Sequence, residues 1–205
     1  MATDIQKIID NLTVFYDFSG KNVIHVGAGG GQIIAYAHLA KSVLAMDTDA
    51  DAVEHLRNAV RSSDLSHIFT IEHRDFMELD ARADVVFFEL CLHEMAEPRK
   101  ALSQAIKLAQ DVLILDHAPD SPWSWYACET EKLHKSWGAV TRFNIIREQD
   151  WRAVQSFKHY KELSAKFSIL GKPALDRIKV FENEEDIVID MPYKAALIAG
   201  ISPSI

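Results

Sequence analysis

Apolar residues Ile5, Ile8, Ile9, Leu12 and Phe15 recur at helical spacing through residues 4–18 and predict an amphipathic helix. Gly20 is placed to end it. Asn22-Val-Ile-His-Val26 is a short apolar run entering a glycine turn, the pattern of a buried strand. The segment from Gln32 to Lys41 is apolar and alanine-rich, so a helix is expected there. Ser42 to Met46 reads as a second buried strand ending at Asp47. Thr48-Asp49 then caps a helix with Val53, Leu56 and Val60 on one face. Ile68 to Glu72 and Asp84 to Glu89 are the third and fourth strands. Arg99 to Gln110 is a helix that turns Leu102, Ala105, Ile106 and Ala109 inward, and Val112 to Leu115 is the fifth strand. Short buried strands alternating with helices predict a parallel sheet covered on both faces.

The alternation breaks after Asp116. His117 to Arg142 contains Pro119, Pro122 and three tryptophans, and is too long for a simple connection in such a fold. Within it, Glu129 to Trp137 is helix-compatible, so residues 117–142 are expected to form a lid over a pocket. A helix is expected around Glu148 to Lys161. Ile178 to Phe181, Ile187 to Asp190 and Ala195 to Ile201 read as strands, the late ones forming an antiparallel hairpin. No internal repeat appears, and 205 residues suit a single domain over residues 1–205 with the N-terminal helix inside residues 1–20.

Composition narrows the function. Hydrophobic residues at 48% and charged residues at 25% belong to a globular chain and exclude wholesale disorder. A net charge of 22 − 30 = −8 argues against nucleic acid as the main partner. Cys91 and Cys128 cannot build a disulfide framework, and no zinc-type Cys/His spacing occurs. The first ten residues are polar and acidic, unlike a secretory signal, and no apolar run reaches about 18 residues. A cytoplasmic protein without membrane insertion is expected. Oligomeric state is not legible.

The strongest local signal is Val23-Ile-His-Val-Gly27-Ala-Gly29-Gly-Gly31-Gln. A glycine loop between a strand and a helix lets backbone approach a ligand, and the helix N-terminus offers free amides. Asp47 ends the next strand, 47 − 27 = 20 positions on, where a carboxylate can accept from both hydroxyls of a ribose. Dinucleotide enzymes also use this arrangement, but they want Gly or Ala where Gln32 stands.

These segments resemble the class I methyltransferases that use S-adenosylmethionine, over about Asn22 to Ile201. The resemblance implies a Rossmann-like, doubly wound, mostly parallel seven-stranded sheet with an antiparallel C-terminal strand. Gly27, Gly29 and Gly31 look like the family's first motif, with Asp47 and Thr48 at the ribose. Asp75 would accept from the adenine amine and Phe76 pack on its ring. Asp84 to Met95 is similar to the fourth motif of small-molecule members, whose strand end, here Glu89, faces the sulfonium. One position departs. The family carries an acid where this chain has His25, which supplies no negative charge. Either Glu89 takes that role, or cofactor affinity is weaker, or the chain belongs to a variant branch.

Methyl transfer from sulfonium needs alignment and a dry site, and a base only when the nucleophile starts protonated. His93 and His117, near the ends of the fourth and fifth strands, are the candidate catalytic residues. Trp123 and Tyr126 are the candidate acceptor wall. A metal site from His93, Glu94, Asp116 and His117 is conceivable by residue type, but no metal is assigned. The sequence therefore points to methylation of a small molecule by S-adenosylmethionine. The rival readings are a non-catalytic methyltransferase-fold partner protein and a nicotinamide-dependent oxidoreductase.

Overall fold

A computed structural model describes residues 3–200. Seven strands form one sheet: β1 (Asn22–Val26), β2 (Ser42–Asp47), β3 (Phe69–His73), β4 (Ala83–Glu89), β5 (Ala109–His117), β6 (Ile145–Trp151) and β9 (Tyr193–Ala199), in the order β3-β2-β1-β4-β5-β9-β6. The pairs among β1 to β5 are parallel. β9 runs antiparallel to both its neighbours, β5 and β6. The expected mostly parallel sheet with an antiparallel last strand is what forms. Strand order reverses between β1 and β4, which opens a crevice at their carboxyl ends.

Each face of the sheet carries its own core, because strands buried on both sides alternate their side chains between them. One face takes Val23, Val43, Val85 and Phe87. It is covered by α1 (Ile5–Phe15) through Ile8, Leu12 and Phe15, and by α2 (Ala50–Arg61) through Leu56 and Val60. The other face takes Ile24, Val26, Val86 and Phe88. It is covered by α3 (Pro98–Leu108) through Leu102 and Ala105, and by α5 (Thr130–Val140) through Leu133 and Trp137. Asp49 caps α2 as expected, its carboxylate accepting from the amides of Asp51 and Ala52.

Four expectations are corrected. Gln32 to Lys41 is not an α-helix but two 3-10 turns, Gln32–Ala35 and Ala37–Leu39. Its inward residues Ile33, Tyr36 and Leu39 recur every three positions, which is the 3-10 period and not the α-helical one. Residues 148–161 are mostly strand: β6 is followed by β7 (Val154–His159), and only then by α6 (Tyr160–Phe167). Ile178 to Phe181 is the end of α7 (Lys172–Ile178) and a 3-10 turn, not a strand. The late hairpin does not form either. β8 (Glu185–Asp190) pairs with β7 in a separate two-stranded sheet, while β9 enters the main sheet. Residues 154–190 are thus a β-α-α-β unit inserted between β6 and β9, packed on the α1 face through Phe157, Leu163, Phe167 and Ile187. No helix among the described residues is long and apolar enough to cross a membrane.

Candidate active site

A cavity of about 580 Å³ opens at the carboxyl ends of β1, β2 and β4, within the size range of small-molecule sites. Gly27, Asp47, Thr48, Asp75 and Phe76 line it together, although they come from three separate strand ends. Backbone geometry explains the glycines. Gly27 and Gly31 take φ of 73° and 72°, the left-handed region that glycine enters freely. Gly27 also needs room, since a Cβ there would lie 2.4 Å from Cys91 Cβ. Gly29 is required for space alone: a Cβ would lie 2.3 Å from Ala52 Cβ.

Asp47 organises this wall. Its Oδ2 accepts from the Gly29 amide at 3.0 Å and its Oδ1 from the Asp49 amide at 3.0 Å. Each carboxylate oxygen can accept twice, so one further bond per oxygen remains for a ligand. Asp75 accepts from the Met77 amide through one oxygen, at 2.9 Å. Its other oxygen makes no hydrogen bond among the described residues. Phe76 is buried edge-on to Phe88, with ring centroids 5.2 Å apart. The same wall includes residues that the sequence reading gave no role in the site, among them Arg74, Leu90, Cys91, Met95 and Lys100. Leu90 leaves β4 with φ of 54°, a conformation that side chains adopt only under constraint.

His25 and Glu89 belong to a buried pair and not to the cavity wall. His25 Nε2 and Glu89 Oε2 lie 2.9 Å apart, with His25 fully buried and Glu89 5% exposed. The histidine that stands in place of an acid therefore has a hydrogen-bond partner on the adjacent strand. Gly29 and Gly31 also stand behind the wall, shaping the loop.

His93 and His117 lie side by side, with ring centroids 6.3 Å apart, yet differ in charge. His93 Nδ1 donates to both oxygens of Asp116, at 2.8 and 2.9 Å. Burial disfavours its charge, but hydrogen bonds to Asp116 and Glu94 outweigh it and push the imidazole up to about 10. His117 is pushed down to about 4 by burial, with the His93 charge adding to the effect. Its Nδ1 is buried without a hydrogen-bond partner among the described residues, and its ring packs on Tyr193 at 4.8 Å. Neither imidazole is on the cavity wall, but Glu94, next to His93, is. The hydrogen bond from His93 holds the Glu94 carboxyl down to about 2 against its burial, helped by Lys132.

The aromatic segment divides between the faces. Trp123, on α4 (Pro122–Tyr126), is buried against Phe167 of α6 at 5.0 Å. Tyr126 packs on Phe181 at 5.2 Å. Both belong to the α1 face and neither lines the cavity. α5 instead flanks the cavity's α3 side, where Lys132 reaches Glu94 and Lys135 reaches the Ala96 carbonyl.

An open, mostly parallel sheet with a ligand-sized cavity at its switch point defines a Rossmann-like α/β protein. Residues 24–111 match a family model described as a methyltransferase domain. No curated protein matches the chain in sequence. Among solved structures, a putative methyltransferase from Bacillus halodurans aligns with a TM-score of 0.68 at 15% identity, covering 96% of this chain and 100% of the other. The cyclase SpnF aligns at 0.64 and 16% identity, covering 95% and 80%. The N-methyltransferase NodS from Bradyrhizobium japonicum, solved with S-adenosyl-L-homocysteine, aligns at 0.61 and 10% identity, covering 96% and 87%. At these identities the structural likeness is one of fold. The sequence match spans residues 24–111, and over the rest of the chain the likeness to methyltransferases is one of fold.

Proposed function

We propose that this protein binds S-adenosylmethionine in the 580 Å³ cavity and transfers its methyl group to a small molecule. The observation that carries this reading is the meeting of Asp47, Thr48, Asp75 and Phe76 on one wall beside Gly27. The spare acceptor positions of Asp47 suit two ribose hydroxyls, and the free oxygen of Asp75 suits an exocyclic amine. Four carboxylates line the cavity, Asp47, Asp75, Glu94 and Glu97, against the two cations Arg74 and Lys100, an excess that favours a sulfonium.

Neither imidazole is tuned for proton abstraction near neutrality, because a good general base has its pKa close to the working pH. His93 at about 10 is charged, and His117 at about 4 is neutral but weakly basic. Catalysis then rests on alignment and exclusion of water, with His93 and Asp116 setting the charge beside the acceptor end. The net charge of −8 favours a small acceptor over nucleic acid.

Calorimetric titration with S-adenosylmethionine and S-adenosylhomocysteine tests the cofactor, and transfer of labelled methyl to an acceptor panel tests the reaction. Absence of binding by either ligand refutes the proposal. One observation favours a second reading, cofactor binding without methyl transfer: the His25–Glu89 pair at the position of the family's acid. Binding of both ligands with no methylation of any acceptor would favour it.

A further inference from the structure

Beside the cavity, His93, Glu94 and Glu129 each offer one ligand atom, and these atoms all lie within 4.8 Å of one another. His93 and Glu94 come from the turn after β4, and Glu129 immediately precedes α5. Three features separate this cluster from a chance meeting of acids. First, the Asp116 carboxylate can only accept, so His93 Nδ1 carries the proton it shares with Asp116. That fixes the ring and turns Nε2 toward Glu94 Oε1, 3.4 Å away. His93 is 7% exposed and Asp116 1%. Second, Lys132 Nζ takes the other oxygen of Glu94 at 2.6 Å, which leaves Oε1 for the His93 side. Third, the half-buried Glu129 carboxylate joins no hydrogen bond or ion pair among the described residues.

We propose that His93 Nε2, Glu94 Oε1 and the Glu129 carboxylate hold a divalent transition-metal ion of the zinc or manganese class. One imidazole with two carboxylates is a mixed donor set suited to those ions. Two donors, each about 2.1 Å from a tetrahedral centre, lie about 3.4 Å apart. The His93–Glu94 separation of 3.4 Å already has that span. The hydrogen bond to Asp116 is the partner that metal-bound histidines commonly require on their other nitrogen. Charge also balances. Asp116, Glu94 and Glu129 carry three negative charges, Lys132 returns one, and the ion neutralises the remaining two as Nε2 gives up its proton. Three protein ligands leave coordination room for water or an acceptor oxygen. Glu94 is shared with the cavity wall, so the ion would stand where an acceptor enters.

The test needs no cofactor, so it stands or falls apart from the methyl-transfer reading. The full chain is stripped with a chelator, dialysed, and titrated calorimetrically with zinc and with manganese, with bound metal measured by elemental analysis. We expect a single ion per chain for at least one of the two metals. Glu129→Gln should weaken binding by about tenfold or more, and Asp116→Asn, which removes both the charge and the hydrogen bond that hold His93, by about 10–100-fold. The Glu129 carboxylate has no hydrogen bond among the described residues to lose, so Glu129→Gln should fold even where His93→Gln does not. Cobalt substitution should give visible ligand-field bands that Glu129→Gln removes. Failure of the stripped protein to take up either metal would overturn the proposal. So would uptake that Glu129→Gln leaves unchanged, which would place the ion elsewhere.

Discussion

Gly29→Ala separates the two jobs a glycine can do in the loop after β1. The added Cβ would lie 2.3 Å from Ala52 Cβ, 3.3 Å from Ala52 Cα and 2.9 Å from Asp47 Oδ2. Carbon atoms pack comfortably at about 3.5–4.0 Å, so loop and α2 must part by about 1 Å. Overpacking of this kind costs about 1–3 kcal/mol. The same movement pulls the Gly29 amide from Asp47 Oδ2, now 3.0 Å away. A hydrogen bond to a charged acceptor contributes about 1.5–3 kcal/mol, and part of it would be lost. A total near 3 kcal/mol is a large share of the roughly 5–15 kcal/mol that stabilises most domains. Gly31→Ala is the control. It must hold φ of 72°, but its Cβ would meet nothing within 4 Å. It should cost only about 1–2 kcal/mol of left-handed strain. Urea unfolding would read the stabilities, and calorimetry with S-adenosylhomocysteine the affinities. We expect Gly29→Ala to lose about tenfold or more in affinity, because Asp47 moves with the loop, and Gly31→Ala to bind nearly as the parent does. Equal stability and equal affinity in Gly29→Ala and the parent would refute the close-approach argument.

Asp47→Ala should weaken S-adenosylhomocysteine binding by about 1–3 kcal/mol and loosen the glycine loop, read by calorimetry and by limited proteolysis. His25→Ala should destabilise by about 1–3 kcal/mol, since it leaves the buried Glu89 side chain without its hydrogen bond to His25; no measurable loss in urea unfolding would contradict a stabilising buried bond. Trp123→Ala should cost about 3–5 kcal/mol of stability through the cavity left beside Phe167, while cofactor affinity in the folded fraction stays unchanged. For His93, the folded pKa of about 10 stands above the ordinary 6.5. Its contribution to stability is therefore complete below about 6.5 and lost as pH rises through about 10. Urea midpoints of chelator-treated protein should fall across that window, and His93→Gln should flatten the fall.

Legibility in the sequence followed burial. β1, β2, β4 and β5 are shielded on both faces, so each leaves a contiguous apolar run that no helix period explains. β6 sits at the sheet edge with five consecutive exposed residues, Ile146 to Asp150, and its polar pattern resembles a helix face as much as a strand. Of the insertion only β8 was legible, as Ile187 to Asp190, because its buried side chains alternate; β7 buries Phe157 alone and leaves almost no pattern. In the site, Asp47 and Asp75 were legible because Asp47 ends β2 and Asp75 follows the end of β3, where this class of sheet binds ligands. Trp123 misled because aromatic composition announces burial without saying on which face. Glu129 left no signal at all: only the packing of α5 beside the turn after β4 brings it to His93.

The place of β9 also has a consequence for synthesis on the ribosome. β5 and β6 are translated long before β9, yet they have no hydrogen bonds to each other and meet only through it. Until residues 193–199 emerge, the nascent chain holds two open strand edges facing an unfilled slot, with the whole inserted unit still to be made between them. Open edges of this kind recruit foreign strands. The interval before β9 arrives is therefore the period in which this chain is most exposed to aggregation and most in need of a chaperone. Any shortening that removes β9 would hold the protein in that state permanently.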